Sequence, residues 1–430
     1  MSKKIGLIGN MNNNNFALLR YLLDQGLDAK LVLMKNDGVG ANSHFSIAND
    51  TLNKKKWTKY IKQSNIYEDP ISALNFPFSW VLFAVKLFKF FIKKKDLVLP
   101  VSKKTIINDL SEFDCLIGSG ISPALLSRVG FNLTIFYPYA FGVEYLEETT
   151  FKAHLQSRNS IIRFFSNKIY KAQLEGIKQS KFVVNSDMGI TKNILDTYSV
   201  EQIHYGIPLL YAEEEETMCH FSDKNQTIIK DLEKKDFVLM SHVRHLWVKP
   251  NILSEASWLM QNKHNEWIIY AYSEFLKRHK VNSVLILFEY GEDFQTSKDL
   301  CSNLGIDQMV MWLPKSSRKD ILKIMDYIDI GLGEFYSDFE TTWGGALIEF
   351  LSRGKPVIHG LNISQTKFET NYGSELPPIL VANSSAEIAD KIEYLFLNKN
   401  KIKEIGKSSK SWFDKYCGRG LAAKFVNLLN

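Results

Sequence analysis

Cysteine is scarce in this sequence of 430 residues. The four cysteines are far apart in the chain: Cys115, Cys219, Cys301 and Cys417. They form no C-x-x-C pair, and no set of histidines lies near them at the spacing of zinc ligands. This pattern argues against a disulfide framework and a zinc site, and it favours a reducing compartment.

We also expect no secretory leader, and the sequence contains no long apolar run. Its start, MSKKIGLIGN, passes directly into a predicted strand, without the charged-then-apolar order of a signal peptide. The uncharged stretch from Ile71 to Val85 has 15 residues, fewer than the ~20 that a helix needs to span a bilayer. We therefore expect a cytoplasmic protein, with at most a peripheral association with the inner face of the cell membrane.

Charge of one sign is not in large excess. The chain has 53 basic and 47 acidic residues, a surplus of +6, which is too small for a nucleic-acid track. Only 9 of the basic residues are arginines. An arginine in a loop is therefore a notable choice, because its planar fork binds phosphate or carboxylate oxygens in pairs.

The composition is that of a globular protein with more than one core. Apolar residues make up 45% and charged residues 23% of the chain. The chain is longer than the ~250 to 300 residues at which a single core stops growing. Two domains are therefore the expectation.

Short β-rich runs alternate with helical patterns, which is typical of α/β domains with parallel sheets. In the first half, strands are predicted at Ile5–Ile8, Ala29–Leu33, Phe113–Ile117, Leu133–Phe136, Lys181–Val184 and Gln202–Tyr205. In the second half, they are predicted at Phe237–Met240, Ser283–Phe288, Met309–Trp312, Ile328–Gly331, Pro356–Ile358 and Ile379–Val381. A turn-rich, acidic connector follows Tyr205, so we place the first domain at residues 1–205 and the second at 206–410.

Residues 76–95 predict an amphipathic helix. One side would carry Trp80, Phe83, Leu87, Phe88, Phe90 and Phe91, and the other Lys86, Lys89 and Lys93. Two interpretations remain open. The helix could lie in the interface of an anionic membrane, or it could pack on the N-terminal sheet.

The loop after the strand Phe237–Met240 contains the first candidate site. Arg244 and Lys249 lie five residues apart there, with His242 and His245 beside the arginine. Ligands of open α/β sheets bind beyond the carboxyl ends of strands, so this loop is placed to hold an anion such as a diphosphate. The alternatives are that the cations are ordinary surface charges and that the histidines are structural.

A helix start provides the second candidate site. Thr341 or Thr342 can cap the helix, and Gly344 and Gly345 allow a phosphate to approach the backbone N–H groups at the positive end of the helix dipole. Glu349 lies two turns further along, among apolar neighbours, where a carboxylate could accept hydrogen bonds from the two hydroxyls of a ribose. Glu340, in the preceding loop, could reach hydroxyls of a sugar.

Together these residues resemble a known family. The order of motifs resembles that of the retaining GT-B glycosyltransferases, especially family 4 (glycosyl transferases group 1). An R-x4-K loop comes first. About ninety residues later follow a carboxylate-rich loop, a glycine-containing helix start, a glutamate and G-K-P-V-I. The resemblance implies two Rossmann-like domains whose parallel sheets face a central cleft. It also implies a C-terminal helix, residues 411–430, that crosses back to the first domain.

The resemblance also implies roles for individual residues. Arg244 and Lys249 would bind the donor diphosphate, Glu349 the nucleotide ribose and Glu340 the donor sugar. The spacing departs from the family pattern, because eight residues rather than seven separate the two glutamates, and Thr341 occupies the position that a strict count selects. The histidine that many members carry in the N-terminal domain is also absent from residues 136–144.

Candidates for the acceptor side follow strands of the first half. Asn12 and Asn13 follow the first strand, Gly118 follows Phe113–Ile117, and Tyr139 follows Leu133–Phe136. For Asn12, Asn13 and Gly118 a loop or helix cap is the alternative, and for Tyr139 it is packing.

The expected activity is therefore a retaining, metal-independent glycosyl transfer of the hexosyltransferase type. The donor would be a UDP- or GDP-sugar as co-substrate, with no further cofactor, and the acceptor a glycan or lipid-linked glycan of bacterial cell-surface polysaccharide or glycoconjugate synthesis. A nucleotide-sugar epimerase of the same fold, or a catalytically idle partner protein, are the alternatives.

Overall fold

A computed structural model describes residues 3–35, 46–67, 103–138, 142–143, 146–147, 160–185, 190–205, 210–213, 223–259, 261–336 and 344–430. The amphipathic segment 76–95 and the candidate residues Tyr139, Glu340, Thr341 and Thr342 lie outside these ranges. Within them, no helix is long and apolar enough to cross a membrane.

The chain divides into two compact units, each built on one parallel sheet. The first unit comprises Met1–Tyr211, Asn371–Gly373 and Arg419–Asn430. The second comprises Ala212–Thr370 and Ser374–Gly418.

The strands of the first unit are β1 (Lys4–Ile8), β2 (Asp28–Lys35), β3 (Ile61–Tyr67), β4 (Cys115–Gly118), β5 (Ile135–Phe136), β6 (Phe182–Asn185) and β7 (Ile203–His204). Their order in the sheet is β3-β2-β1-β4-β5-β6-β7, and every pairing is parallel. Because β1 pairs with both β2 and β4, the strand order reverses beside β1. The register pairs Ile8 with Gly118 at the carboxyl ends of β1 and β4.

The strands of the second unit are β8 (Phe237–Met240), β9 (Ser283–Glu289), β10 (Val310–Pro314), β11 (Ile330–Leu332), β12 (Val357–His359) and β13 (Leu380–Val381). Their order is β10-β9-β8-β11-β12-β13, again with parallel pairing throughout. Here the order reverses beside β8, which pairs with β9 on one side and β11 on the other. Both units are therefore doubly wound α/β folds.

The described helices are α1 (Asn14–Asp24), α2 (Lys54–Thr58), α3 (Lys103–Leu110), α4 (Ser122–Ser127), α5 (Ser160–Gln179), α6 (Ile190–Thr197), α7 (Asp223–Leu232), α8 (Glu255–Leu259), α9 (Asn265–Arg278), α10 (Phe294–Asn303), α11 (Arg318–Met325), α12 (Gly345–Ser352), α13 (Gln365–Tyr372), α14 (Ser385–Leu397), α15 (Lys399–Tyr416) and α16 (Arg419–Leu429). Most of them connect successive parallel strands, as parallel pairing requires.

The predicted strands are all present, with ends within two residues of the prediction. Among the described residues, β3 is a strand that the sequence did not predict, and its sequence is IKQSNIY. It lies at the edge of its sheet and carries mostly polar side chains. An edge strand needs less apolar surface than a central one, so the hydrophobic pattern on which the prediction relied is missing.

The C-terminal helix α16 is part of the core of the first unit. Leu421, Phe425 and Leu429 belong to the same buried cluster as Phe16 of α1. The ring of Phe425 lies 5.0 Å from that of Tyr137, measured between ring centroids. The last described helix therefore packs in the same core as α1 and stabilises the first unit.

We expect Phe425→Ala to destabilise the first unit by about 3–5 kcal/mol, because a fully buried phenylalanine leaves a cavity when it is truncated. Urea denaturation followed by circular dichroism measures this loss. Asn427→Ala, an exposed position of the same helix, is the control and should change stability by no more than about 0.5 kcal/mol. Equal losses for the two variants would contradict the assignment of α16 to the core.

Candidate functional site

The carboxyl ends of β8 and β11 lie next to each other where the strand order of the second unit reverses. Open α/β sheets bind their ligands at this position. The loop at residues 241–249 follows β8, and Glu334 follows β11. We therefore take this edge of the sheet as the candidate site.

The loop after β8 is fixed to the turn after β9 by backbone hydrogen bonds. The N–H of His245 donates to the carbonyl of Tyr290 at 2.7 Å, and the N–H of Asp293 donates to the carbonyl of His245 at 3.1 Å. The carboxylate of Asp293 then accepts from the N–H groups of Trp247 and Val248, at 2.7 and 2.9 Å. The loop is therefore held in one conformation.

His245 belongs to this fixation. Its side chain is buried, and its Nδ1 lies 2.8 Å from Oγ of Ser297. Burial lowers the pKa of His245 to about 4, against the opposing effect of Asp293, so the ring is neutral at pH 7. Gly291 has a φ of 109°, and a side chain there would collide with the backbone of His245. We assign His245 to holding the loop rather than to contacting a donor.

Arg244 points out of this fixed loop. Its side chain is exposed, and within the described part of the chain its guanidinium makes no hydrogen bond or ion pair. Burial and Glu334 raise the pKa of Tyr336, and the charge of Arg244 opposes that shift, so Arg244 lies near Tyr336. Lys249 differs, because its Nζ forms an ion pair with Glu255 at the surface. An exposed pair of this kind contributes little energy and can exchange for another anion.

Glu349 lies in α12 and is buried between two partners. Its Oε2 accepts from Nε2 of His242 at 2.6 Å, and its Oε1 accepts from Nε of Arg318, in α11, at 2.8 Å. Burial by itself raises the pKa of Glu349, but the hydrogen bond from His242 and the charge of Arg318 outweigh burial and lower the pKa to about 2. Glu349 is therefore ionised, and His242 contacts it directly.

A second carboxylate, Glu334, was not among the sequence candidates. Its Oε2 accepts from Nζ of Lys263 at 2.6 Å and from the hydroxyl of Tyr336. Burial acts to raise the pKa of Glu334, and Lys263 and Tyr336 together lower it below its ordinary value. The N–H of Glu334 donates to Nδ1 of His359, at the end of β12, at 3.1 Å. Burial lowers the pKa of His359 to about 4, so this ring is neutral.

The two glycines at the start of α12 have different surroundings. Gly344 is the residue before the helix, and a side chain there would collide with Oε1 of Glu334. A side chain at Gly345 would have no heavy atom of the described residues within 4 Å. Gly344 therefore leaves room for the carboxylate, while Gly345 borders open space.

The structure brings the described acceptor candidates to one edge of the first sheet. Asn12 and Asn13 follow β1 and have left-handed backbone angles, with φ of 52° and 58°. The side chain of Asn13 accepts from Asn10 at 2.8 Å and donates to the carbonyl of Ser46 at 3.0 Å. Gly118 ends β4, where a side chain would collide with Oγ of Ser122. The side chain of Asn13 thus bonds within its own unit, and Gly118 leaves space for Ser122, so both residues have a structural role.

The pKa of Glu349 generates a prediction about stability and pH. Glu349→Gln removes the charge beside Arg318 and His242, and we expect a loss of about 3 kcal/mol at pH 7. Because the folded pKa, about 2, lies below the ordinary 4.5, this contribution is complete above about pH 5 and is lost as the pH falls through 2. The difference between the wild-type chain and the variant should therefore narrow between pH 6 and pH 2.5.

Urea unfolding at several pH values measures this difference. Glu404→Gln, which removes an exposed carboxylate of α15 paired with Lys401, is the control and should have little effect at any pH. A loss for Glu349→Gln that is the same at pH 6 and pH 2.5 would be inconsistent with the buried ion pair.

Comparison with known proteins finds a sequence family that is similar to most of the second unit. Residues 244–412 match the sequence model of the family Glycosyl transferases group 1. No curated protein matches the chain. The family match begins at Arg244 and includes Lys263, Arg318, Glu334 and Glu349.

Solved structures match over the whole chain at low sequence identity. HepE from Anabaena, in complex with UDP, is 11% identical over 99% of both chains, with a TM-score of 0.55. A glycosyltransferase from Rickettsia africae is 15% identical over 100% of this chain and 97% of its own, with a TM-score of 0.52. The UDP-GlcNAc 2-epimerase from Neisseria meningitidis, bound to UDP-GlcNAc, is 11% identical over 100% of this chain and 99% of its own, with a TM-score of 0.53.

At these identities the structural likeness establishes the fold alone, and the family match concerns the second unit. The chain therefore has the GT-B fold, with two Rossmann-like α/β units, and its residues 244–412 match the family Glycosyl transferases group 1.

Proposed function

We propose that the chain transfers a sugar from a nucleoside-diphosphate sugar to a glycan acceptor. The observation that carries this proposal is the guanidinium of Arg244, exposed and without a partner among the described residues, on a loop fixed at the carboxyl end of β8. A planar fork in this position suits the paired oxygens of a diphosphate. Its location within the family match supports the same conclusion.

The donor diphosphate would bind to Arg244 and Lys249. Departure of the diphosphate is the step that needs stabilisation, because negative charge develops on its oxygens as the bond to the sugar breaks. The loop backbone that carries Arg244 is already fixed by Asp293, so only the arginine side chain has to adjust to that charge. Lys249 would exchange its surface partner Glu255 for the diphosphate.

The ribose of the donor would bind to Glu349. An ionised carboxylate has about four lone-pair positions, and His242 and Arg318 use two of them. The remaining positions can accept the ribose hydroxyls while the carboxylate stays where its partners hold it. His242 then acts on the donor through Glu349.

UDP is the first nucleotide to test. Structures of HepE contain UDP and UDP-glucose. We propose a UDP-sugar or a GDP-sugar as the donor and a glycan or lipid-linked glycan as the acceptor. We also propose that transfer retains the anomeric configuration of the sugar. Retention is supported by the family resemblance, and the anomeric coupling constant of the product measures it.

An epimerase remains the second candidate, because an epimerase structure matches this chain as well as glycosyltransferase structures do. Both reactions break the bond between sugar and diphosphate. Only transfer requires an acceptor, so consumption of a UDP-sugar with formation of its epimer in the absence of any acceptor would favour the epimerase.

We expect Arg244→Ala to lower the rate of sugar transfer by about 10²–10³-fold, the usual cost of losing one donor to a developing negative charge. Donor turnover with each UDP-sugar or GDP-sugar measures this effect. Arg278→Ala removes another arginine of the second unit, at the carboxyl end of α9, where Arg278 pairs with Asp390 and Glu393. This control should turn over like the wild-type chain. Unchanged turnover in Arg244→Ala would remove the central claim.

We also expect transfer to be metal-independent, since Arg244 and Lys249 would supply the positive charge that a divalent cation provides in other transferases. Turnover should be the same in EDTA and in magnesium or manganese. Loss of activity in EDTA that either cation restores would contradict this mechanism.

A further inference from the structure

We propose that Glu334 binds the donor sugar, accepting hydrogen bonds from its hydroxyl groups through Oε1, and that the sugar carries no carboxylate. The proposal rests on the proposed function, which supplies the nucleoside-diphosphate sugar. The role is one that the sequence assigned to Glu340, a residue outside the described ranges.

The carboxylate of Glu334 is only half used. Lys263 and Tyr336 both donate to Oε2, while Oε1 accepts no hydrogen bond from any described residue. The side chain is 13% exposed, so the carboxylate is largely buried without being closed to solvent. A largely buried carboxylate oxygen without a donor is costly unless a ligand or water provides one.

The backbone of Glu334 is fixed to the neighbouring strand. Its N–H donates to His359, and its carbonyl accepts from the N–H of Gly360 at 2.9 Å. Gly344 gives Oε1 the space it occupies. The carboxylate is therefore held in place before any ligand arrives, as a specific binding group must be.

Glu334 lies close to where a sugar attached to the diphosphate would be expected. Glu334 follows β11, which pairs with β8, and Arg244 follows β8. Arg244 also acts electrostatically on Tyr336, whose hydroxyl donates to Glu334. Arg244, which we propose to bind the diphosphate, and Glu334, which we propose to bind the sugar, are therefore neighbours at one edge of the sheet.

The charge of Glu334 restricts the kind of sugar. Lys263 keeps the carboxylate ionised, and an ionised carboxylate only accepts hydrogen bonds. Sugar hydroxyls are donors and satisfy it, whereas the carboxylate of a uronic acid would be repelled at short range. The matching class is a sugar with free hydroxyls and no carboxylate.

The test compares nucleotides with and without a sugar. Dissociation constants of the full chain are measured by calorimetry for UDP, UDP-glucose, UDP-galactose, UDP-N-acetylglucosamine and UDP-glucuronic acid, or for GDP and GDP-mannose if the chain binds GDP instead. Glu334→Gln should leave the affinity for the bare diphosphate within about twofold. Affinity for the best neutral sugar nucleotide should fall about tenfold or more, because a hydrogen bond to a charged acceptor is lost.

Glu289→Gln is the matched control. Glu289 ends β9 at the same edge of the sheet and, like Glu334, pairs with a lysine, Lys298, at 2.6 Å. This variant should bind every nucleotide as the wild-type chain does. If Glu334→Gln does not fold, the wild-type chain decides the matter, because UDP-glucuronic acid should bind at least about tenfold more weakly than the best neutral UDP-sugar.

The outcomes separate the two proposals. Equal losses for the bare and the sugar nucleotide, or no loss for either, would show that Glu334 only pairs with Lys263 and would overturn this inference alone. Tight binding of UDP-glucuronic acid by the wild-type chain would do the same. A wild-type chain that binds no UDP or GDP compound would overturn the proposed function, and this inference with it.

Discussion

The candidate site depends on the attachment of the loop after β8 to the turn after β9. Asp293 accepts two N–H groups of that loop, and the ring of His245 is buried against Ser297. Gly291 permits the close approach, because a side chain there would collide with His245. The backbone of the loop is therefore already ordered in the folded chain, and only the side chain of Arg244 has to be ordered when an anion binds.

Two buried carboxylates near this loop each have a basic partner. Glu349 faces Arg318, and Glu334 faces Lys263, each at ion-pair distance. Both carboxylates are largely buried, where ionisation requires a close partner. Arg244 makes no ion pair in the described part of the chain, so no neighbouring carboxylate competes with a ligand for its guanidinium. This arrangement attracts an anion to a single place rather than to the whole edge of the sheet.

Sequence patterns predicted features that are local in the chain. Central strands are short apolar runs between turns, and Arg244 was noted because it is a rare arginine directly after such a run. Glu349 was noted because a glutamate among apolar helical neighbours needs a reason. The edge strand β3 had no comparable pattern, since its residues are mostly polar.

The partners of these residues could not be predicted in the same way. Glu349 meets His242 across 107 residues and Arg318 across 31, and Glu334 meets Lys263 across 71. No spacing rule connects positions so far apart, because the order of strands in the sheet brings them together. A glutamate directly after β11 was the one available signal for Glu334, and its weight depends on knowing that β11 lies next to β8.

The start of α12 shows how a pattern can be right about a location and incomplete about its chemistry. In the sequence Gly344 and Gly345 are equivalent, and both favour the approach of a phosphate to the helix. In the structure the carboxylate of Glu334 already lies against Gly344. A negative charge at this end of the helix balances part of the positive helix dipole. The helix start therefore attracts a second anion less strongly. The positive charge that holds a diphosphate must come mainly from Arg244. The space beside Gly345, which no described residue fills, gives a ligand access to the backbone N–H groups.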